Sequence, residues 1–498
     1  MELQFEKKPC PCLRRKVWEV QNVEQTQEVR LPDEMPDIGM VLAVWGQCVM
    51  RGKEWHSDGM NVSGGVMAWV LYTPADGTEP RQIEVWLPVQ AKWSFPDSRR
   101  EGTIRASMLL KGADARTISA RKMMVRANVG VLGEALEPWE AEISVPGELP
   151  SDVQLLRKTY PMELPKEAGE KAFLVDEELT LSHNDPVPEK IISFSMSPRV
   201  TERKVLGGKA VFRGDGNFHM VYRSLDGQLH SADFEVPFSQ FSDLDRDYDK
   251  EATVSVMMGV SSLEPELQEG TIRLKCGLVA QYLIFDREMV ELVQDAYSPN
   301  REVRVQTQEL ELPAVLDIGR ERMGSEVSLD AQADRVVDMA AFVQQPGVRR
   351  AGDLAELEAG GAVQMLYYDE NGALQSGIAR WNDTWEQPAG EDTSVLAQIT
   401  EVSQPTASAN GGQIRGEMEM EVERMTTARG GIPMVTGLEM GELNRPDPAR
   451  PSLVLRRAGE DGLWELAKST GSTVAAIRAA NGLTDEPLDD RLLLIPVS

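Results

Sequence analysis

The sequence contains little cysteine and no long hydrophobic segment. Four cysteines in 498 residues are too few and too scattered for a disulfide framework; they are Cys10, Cys12, Cys48 and Cys276. No stretch approaches the roughly 18 uninterrupted apolar residues of a membrane span, and residues 1–28 lack an apolar core of secretory-signal length. We therefore expect a cytosolic chain with reduced thiols.

Basic residues are also in short supply. The 52 Lys and Arg residues stand against 80 Asp and Glu residues, which gives a net charge of -28. This charge repels nucleic-acid phosphates and anionic lipid, so nucleic acid is not an expected partner. Hydrophobic residues make up 41% and charged residues 27%, as in folded domains. At about 150 residues per domain, the length predicts three or four domains.

The motifs of common enzyme classes are missing. The sequence has no His-Glu-x-x-His, no Gly-x-Ser-x-Gly and no Gly-x-x-x-x-Gly-Lys. The four histidines show no ligand spacing, and we expect surface or sheet positions for them, including His219. Cys10 and Cys12 could bind a metal or form a redox pair, but no second Cys or His pair lies nearby. We predict a non-enzymatic protein with no catalytic residue, metal or cofactor.

One pattern occurs three times along the chain. An apolar strand ends in Tyr72, Tyr222 or Tyr367, and a glycine follows five residues later. An octapeptide at residues 25–32 (QTQEVRLP) returns at residues 306–313 as QTQELELP. The distance from Glu28 to Tyr72 is 44 residues and that from Glu309 to Tyr367 is 58, so the third copy is predicted to carry 14 extra residues. We place them in residues 323–350, where the pattern is helix-like and polar.

Alternation of apolar residues in these strands predicts antiparallel β-structure. Short strands separated by Gly and Pro turns favour a β-sandwich or a barrel in each repeat, so the chain is predicted to be mainly β. Pro-rich stretches mark the boundaries. The predicted units are a first repeat (15–136), a linker (137–170), a second repeat (171–298), a third repeat with an insertion (300–440) and a second linker (441–451).

The last residues, 452–498, have a different pattern. A strand at 453–456 precedes a helix at 462–469, for which Asp461 is the expected N-cap. Ser472 or Thr473 caps a second helix that ends at Asn481 and Gly482, and residues 492–496 form a closing strand. The small core is predicted to include Trp464, Ile477 and Ile495.

This tail resembles a LysM domain, the βααβ module of many cell-wall-associated proteins. The residues that carry the likeness are Gly459, Leu463, Trp464, Leu466, Ala467, Thr473, Val474, Ile477, Ala480, Asn481, Leu483, Leu494, Ile495 and Pro496. In glycan-binding LysM domains, the loops after the first strand and after the second helix form the sugar groove. The corresponding loops here hold Glu460, Asp461, Asp485 and Glu486, and the usual Thr is missing. These departures favour protein binding over glycan binding.

The resemblance also implies a binding surface for a protein or a glycan. Its residues are expected to be Gly459, Glu460, Asp461, Gly462, Leu463, Lys468, Arg478, Asn481, Gly482, Leu483 and Thr484.

Together, the three Tyr-ending repeats and the tail resemble the SPOCS-repeat proteins of spore-forming Firmicutes, in particular the SipL-type spore-coat morphogenetic family of clostridia. That resemblance implies an adaptor in the mother-cell cytosol, at the forespore or spore-coat surface. Its LysM domain would bind a coat-assembly ATPase, and its repeats would bind other coat proteins. Two alternatives stay open: a peptidoglycan- or N-acetylglucosamine-binding protein, and a cell-wall hydrolase that the tail targets to its substrate.

Overall fold

A computed structural model describes residues 1–96, 101–268, 270–390, 392–410, 412–444, 451–457, 462–483 and 491–497. β-Strands dominate these residues and pair antiparallel throughout, in several separate sheets. The described residues contain two helices, both close to the C-terminus. The prediction of a mainly β chain is confirmed.

The first unit, residues 6–145, consists of two three-stranded sheets. A short strand, β1, precedes it at Glu2–Gln4. One sheet has the order β3-β4-β5 and the other β2-β7-β6, and a hydrophobic cluster fills the space between them. The strands are β2 (Glu6–Arg30), β3 (Ile38–His56), β4 (Gly59–Pro74), β5 (Arg81–Ser94), β6 (Thr103–Ser119) and β7 (Lys122–Val145).

The second unit, residues 154–297, arranges its strands in the same order. Strands β9, β10 and β11 form one sheet, and β8, β13 and β12 face them across a second hydrophobic cluster. Their bounds are β8 (Gln154–Leu179), β9 (Pro188–Val205), β10 (Lys209–Ser224), β11 (Leu229–Asp243), β12 (Thr253–Gln268) and β13 (Thr271–Tyr297).

The third unit, residues 303–440, follows this order with interrupted strands. β16 and β17 together pair with β18, and β20 and β21 together pair with β22. The strands are β14 (Val303–Leu310), β15 (Val315–Asp330), β16 (Ala333–Val343), β17 (Gly347–Ala351), β18 (Leu354–Asp369), β19 (Leu374–Pro388), β20 (Thr393–Val402), β21 (Thr406–Asn410), β22 (Gln413–Ala428) and β23 (Ile432–Met440).

The Tyr-ending strands are the middle strands of the three meanders. β4, β10 and β18 are each 16 residues long, and the tyrosine lies two residues before the end of each. The following glycines, Gly77, Gly227 and Gly372, have φ values of 74°, 82° and 75°. This left-handed conformation suits glycine, which has no Cβ to clash with the backbone. Each of these glycines lies in a hairpin connection, between β4 and β5, between β10 and β11, and between β18 and β19.

The helix-like interpretation of residues 323–350 is wrong, because this stretch forms β-strands. In β15 the buried side chains alternate at Met323, Ser325 and Val327, which is the period of two that a strand requires. The octapeptide was also a misleading landmark. Residues 25–30 pair with β7 at the end of β2, whereas residues 306–310 pair with β23. The two copies therefore occupy different places, and strand positions give no support to the 14-residue insertion.

Four long strands of the first and second units extend beyond the hydrophobic cores of these units. β2, β7, β8 and β13 have between 24 and 27 residues, and their outer parts pack against one another and against the third unit. The buried cluster formed there includes Cys10, Cys12, Met162, Leu292 and Met434. β23 also pairs with β1 from the opposite end of the chain. The three units thus form one connected body.

A buried charged network lies where the three units meet, and we call it the junction network. Arg105 and Glu134 of the first unit have side chains that are 0% exposed, and they form an ion pair at 2.7 Å. Arg105 also donates to Ser255 Oγ of the second unit at 2.9 Å. Ser255 in turn donates to Glu423 of the third unit, to which Arg320 is paired at 2.7 Å.

We expect Arg105→Met to lower the free energy of unfolding by about 1.5–3 kcal/mol, because it removes one of the two cations paired with the buried Glu134, which keeps Arg15, and also removes the donor to Ser255. Urea denaturation of the full chain measures this change. Lys7→Met is the matched control, since the ion pair of Lys7 with Glu142 is exposed on both sides and should contribute about 1 kcal/mol or less. Equal effects of the two substitutions would contradict the assignment of a stabilising role to the junction network.

Candidate functional site

The tail consists of two short helices between two paired strands. β24 (Leu453–Arg457) pairs antiparallel with β25 (Leu492–Pro496), and α1 (Leu463–Thr470) and α2 (Val474–Asn481) lie between them in sequence. Thr473 caps α2 through its side-chain oxygen, which accepts from the backbone N–H of Ala476 at 3.1 Å. Gly471 and Gly482 end the two helices in the left-handed conformation.

The first helix begins one residue later than expected. Gly462 is its N-cap and offers no side-chain hydrogen bond, and the predicted cap, Asp461, lies outside the described residues. Ile477 and Ile495 are fully buried in the tail core, together with Leu466, Ala467 and Leu493. Trp464 packs only partly buried against this cluster, which leaves one face of its ring for the neighbouring unit.

Trp464 and Lys468 attach the tail to the end of β13. The Trp464 ring meets the Tyr297 ring edge-on, with 4.8 Å between centroids. Asp295 accepts hydrogen bonds from Trp464 Nε1 at 2.7 Å and from Lys468 Nζ at 2.6 Å. The hydroxyl of Tyr297 donates to the carbonyl of Ser472 at 3.0 Å. Burial, followed by the nearby charge of Asp295, raises the pKa of Tyr297 to about 12, so the hydroxyl remains a donor at neutral pH.

The predicted binding residues do not form one continuous face. Lys468 is paired with Asp295, and Leu463 packs in the cluster that contains Tyr297. Asn481 has a structural role, because its side chain bonds both the N–H and the carbonyl of Leu494 and thereby connects α2 to β25. Gly462, Arg478 and Gly482 are exposed and Leu483 is half-buried. Gly459, Glu460, Asp461 and Thr484 lie outside the described residues.

A surface that sequence reasoning missed lies on the outer side of β24 and β25. Leu453, Leu455 and Leu492 are 53%, 61% and 62% exposed. The signal was present, because residues 492–495 read Leu-Leu-Leu-Ile without alternation. A strand that is apolar on both faces offers an apolar side to something other than its own core. We call Leu453, Leu455, Leu492 and the half-buried Leu494 the hairpin face.

A cavity of about 530 Å³ lies between the three units, on the side of the meanders. Its walls include Trp45 and Met108 of the first unit, His219 and Met258 of the second, and Asp338 of the third. Hydrophobic side chains from all three meanders pack nearby, including Leu42, Trp69, Val221, Leu229 and Leu366. The face of the meanders that carries Trp69, Val221 and Leu366 is therefore an interface between units.

His219 of the second unit is bonded to Asp338 of the third unit beside this cavity. The Nε2 atom of His219 lies 2.6 Å from Asp338 Oδ1, and its Nδ1 atom lies 2.6 Å from Asp233 Oδ1. Trp45 Nε1 donates to the other oxygen of Asp338, at 2.6 Å. His219 lies in a sheet as predicted, but it is buried, so a surface position is wrong for it. His219 is buried because the third unit, which carries Asp338, packs over it.

The protonation of His219 limits what it can do chemically. Burial alone would lower its pKa, but the charge of Asp338 and the hydrogen bonds to both carboxylates outweigh burial and raise the pKa to about 10. At neutral pH the ring is therefore an imidazolium that donates from both nitrogens. It has no lone pair for a metal or for accepting a proton. In the described part of the chain, no group of three or more His, Cys, Asp or Glu residues could hold a metal ion.

The Cys10 and Cys12 thiols are free and buried among the long strands. Burial raises the pKa of both groups, in the case of Cys12 to about 12. A buried thiol that keeps its proton is a poor nucleophile and a poor metal ligand. Both side chains serve as small hydrophobic residues in their cluster.

A family model matches part of the second unit. Residues 188–267 match the family model described as SipL, SPOCS domain. The matched segment contains β9 to β11 and nearly all of β12, that is, the meander and the edge strand of the second unit. No curated protein and no solved structure matches the chain. Among the described residues, no helix is long and apolar enough to cross a membrane.

The raised pKa of His219 predicts a particular dependence of stability on pH. A group with a folded pKa above its unfolded value stabilises fully below the unfolded pKa, about 6.5, and loses this contribution as the pH rises through its folded pKa. The difference in unfolding free energy between wild type and His219→Gln should be largest near pH 6 and shrink toward pH 10. Chemical denaturation across this range measures it. His183→Gln, at an exposed position, is the control, and its unfolding free energy should follow that of wild type at every pH. If the unfolding free energy of His219→Gln also ran parallel to that of wild type across the pH range, His219 would not be the titrating group.

Removal of the Asp295 carboxylate should loosen the tail. Asp295→Ala deletes the acceptor of the hydrogen bonds from Trp464 and Lys468. A buried hydrogen bond to a charged group contributes about 1.5–3 kcal/mol. These two bonds contribute less, because the Lys468–Asp295 ion pair is partly exposed. We expect at least about tenfold faster backbone hydrogen exchange in α1, measured by mass spectrometry on the full chain. Glu291→Ala, also on β13 but in an exposed pair with Arg157, is the control and should leave α1 unchanged. Unchanged exchange in Asp295→Ala would disprove the anchoring role.

Proposed function

We propose that the chain is a non-enzymatic adaptor of spore-envelope morphogenesis, in which a LysM-like tail binds a coat-assembly ATPase at the forespore surface. The observation that carries the proposal is the likeness of residues 188–267 to the SipL, SPOCS domain family. We further propose that the three units are SPOCS repeats of β-sandwich type and that they bind other coat proteins. The expected location is the mother-cell cytosol.

The packing of the units supports a scaffolding role. The junction network and the His219 cluster each use side chains from all three units, so the units hold fixed relative positions. A rigid body with several faces suits a protein that must hold two partners at a set distance. Asp295 and Tyr297 add the tail to that body in a defined orientation.

The charge distribution supports a division of labour between scaffold and tail. From residue 451 onward there are 5 Lys and Arg against 7 Asp and Glu, a balance of -2, which leaves -26 of the total of -28 on the units and linkers. The acidic scaffold disfavours contact with anionic polymers. The nearly neutral tail is therefore the part best suited to contact a partner through apolar surface.

Binding of the purified coat-assembly ATPase to the full chain tests the proposal. Ile477→Arg should abolish binding, because it places an unpaired charge at a fully buried position of the tail and costs several kcal/mol there. Ala479→Arg adds the same charge to an exposed position of the same helix and should bind about as well as wild type. A fluorescent fusion of the full chain should surround the forespore during sporulation.

Four outcomes would count against the proposal. Failure of the wild-type chain to bind the ATPase would disprove it. Wild-type affinity in Ile477→Arg would move the binding site out of the tail. If the chain sediments with purified peptidoglycan and chito-oligomers abolish that binding, the glycan-binding alternative is favoured. If the full chain degrades peptidoglycan in a zymogram, the hydrolase alternative is favoured.

A further inference from the structure

The cavity between the three units has one polar wall, which is a face of the β9–β10–β11 sheet. Side chains two positions apart on a strand point to the same side, and the register aligns neighbouring strands across the sheet. Two adjacent rows of polar side chains result on this wall, Ser195–His219–Asp233 and Ser197–Asn217–Glu235. Strands β16 and β20 of the third unit add Asp338 and Glu401 to the lining.

The charged side chains of the lining do not balance. Two cations and four carboxylates line the cavity, namely Arg199, His219, Asp233, Glu235, Asp338 and Glu401. The protonated ring of His219 bonds to Asp233 and Asp338 at 2.6 Å each. Arg199 Nη2 donates to Glu235 at 3.4 Å. Three of the four carboxylates therefore have a cation within hydrogen-bond distance, and Glu401 is the one that does not.

Glu401 is a buried carboxylate whose charge is poorly compensated. Its side chain is 5% exposed, and its closest cation is the half-exposed Arg322, whose Nη2 atom lies 3.9 Å away. No hydrogen bond reaches the Glu401 carboxylate from the described residues. Burial raises the pKa of Glu401, and the nearby carboxylates of Glu421 and Glu419 raise it further. The guanidinium groups of Arg322 and Arg199 lower it, but the net shift is upward. A further cation at this carboxylate would therefore be stabilised.

The remaining walls of the cavity suit an aliphatic chain. Flexible apolar side chains come from all three units, namely Met50, Met108, Met196, Met258, Met339 and Phe342. Methionine adapts its shape to irregular apolar groups. The volume of about 530 Å³ lies in the range of small-molecule sites, which combine apolar walls with a few polar groups. The side chains of Ser195 and Asn217 form no hydrogen bond with other described residues, so their oxygens are available as further acceptors.

We propose that the cavity binds a small organic amine, whose ammonium group lies at Glu401 and whose aliphatic part packs against the methionines. An ammonium group donates charge-assisted hydrogen bonds to a carboxylate, and the single uncompensated carboxylate selects for one such group. The net charge of -28 on the chain attracts cations and disfavours anionic ligands. No described residue of the tail lines the cavity, so this site is independent of the contact with a coat-assembly ATPase.

Titration of the full chain with hexylammonium chloride at about 0.15 M salt, where long-range surface attraction is screened, tests the site by calorimetry. We expect saturable binding to wild type and at least about tenfold weaker binding to Glu401→Gln, which keeps the size of the side chain and removes its charge. Glu419→Gln is the matched control and should bind like wild type. Glu419 pairs with the same Arg322 but is 60% exposed and does not line the cavity.

A second variant tests the place of the aliphatic chain. Met258→Trp puts a larger side chain into the cavity from the second unit, so it should also weaken the binding of hexylammonium. Circular dichroism verifies the fold of each variant. Unchanged affinity in both Glu401→Gln and Met258→Trp would place the ligand elsewhere on the acidic surface and would overturn the proposal.

Two further ligands test the charge preference on the wild-type chain alone, so this arm holds even if a variant fails to fold. Hexanol has the same chain without the charge and should bind more weakly than hexylammonium, and hexanoate should not bind. Absence of saturable hexylammonium binding would overturn the proposal. Tighter binding of hexanoate than of hexylammonium would also overturn it, in favour of an anion site at Arg199.

Discussion

The burial of Arg105 constrains the whole assembly. A guanidinium withdrawn from water is tolerated only when carboxylates and hydroxyls surround it, because the desolvation of an unpaired charge costs several kcal/mol. Arg105 has one such partner in its own unit, Glu134, and a second, Ser255, in the next unit. Ser255 then passes the connection to Glu423 of the third unit. A unit that moved out of place would break the hydrogen bonds of Ser255 to Arg105 and Glu423 while both charges stay buried, so the network favours one arrangement of the three.

A second polar cluster acts in the same way on the side of the meanders. Trp45, His219 and Asp338 come from different units, and the hydrogen bonds of Trp45 and His219 to Asp338 join all three. Hydrophobic clusters fill the space around both networks. Apolar contacts supply most of the stabilisation in such an interface but tolerate sliding, whereas hydrogen bonds at fixed distances do not. The combination explains how three similar units form one body of defined shape.

The sequence was most informative where structure is local. A period of two and a glycine after the strand predicted the middle strand of each meander, because both features follow from pleat geometry and turn sterics. The same reasoning failed for the octapeptide, because a polar stretch such as Gln-Thr-Gln-Glu fits any exposed strand. It also missed the buried place of His219 and the contact of Asp295 with the tail. These depend on residues more than a hundred positions apart, and such contacts leave no periodic trace in the chain.

The length of β13 has a mechanical consequence. This single strand begins in the core of the second unit, crosses the cluster around Cys10 and Cys12, and ends at Tyr297 under the tail. At roughly 3.3 Å per residue, its 27 residues extend for about 90 Å. It pairs with β8 along almost its whole length, so a pull on the tail along the strand loads many backbone hydrogen bonds in parallel rather than one after another. A force applied to the tail along this strand would therefore be shared by many hydrogen bonds of the second unit.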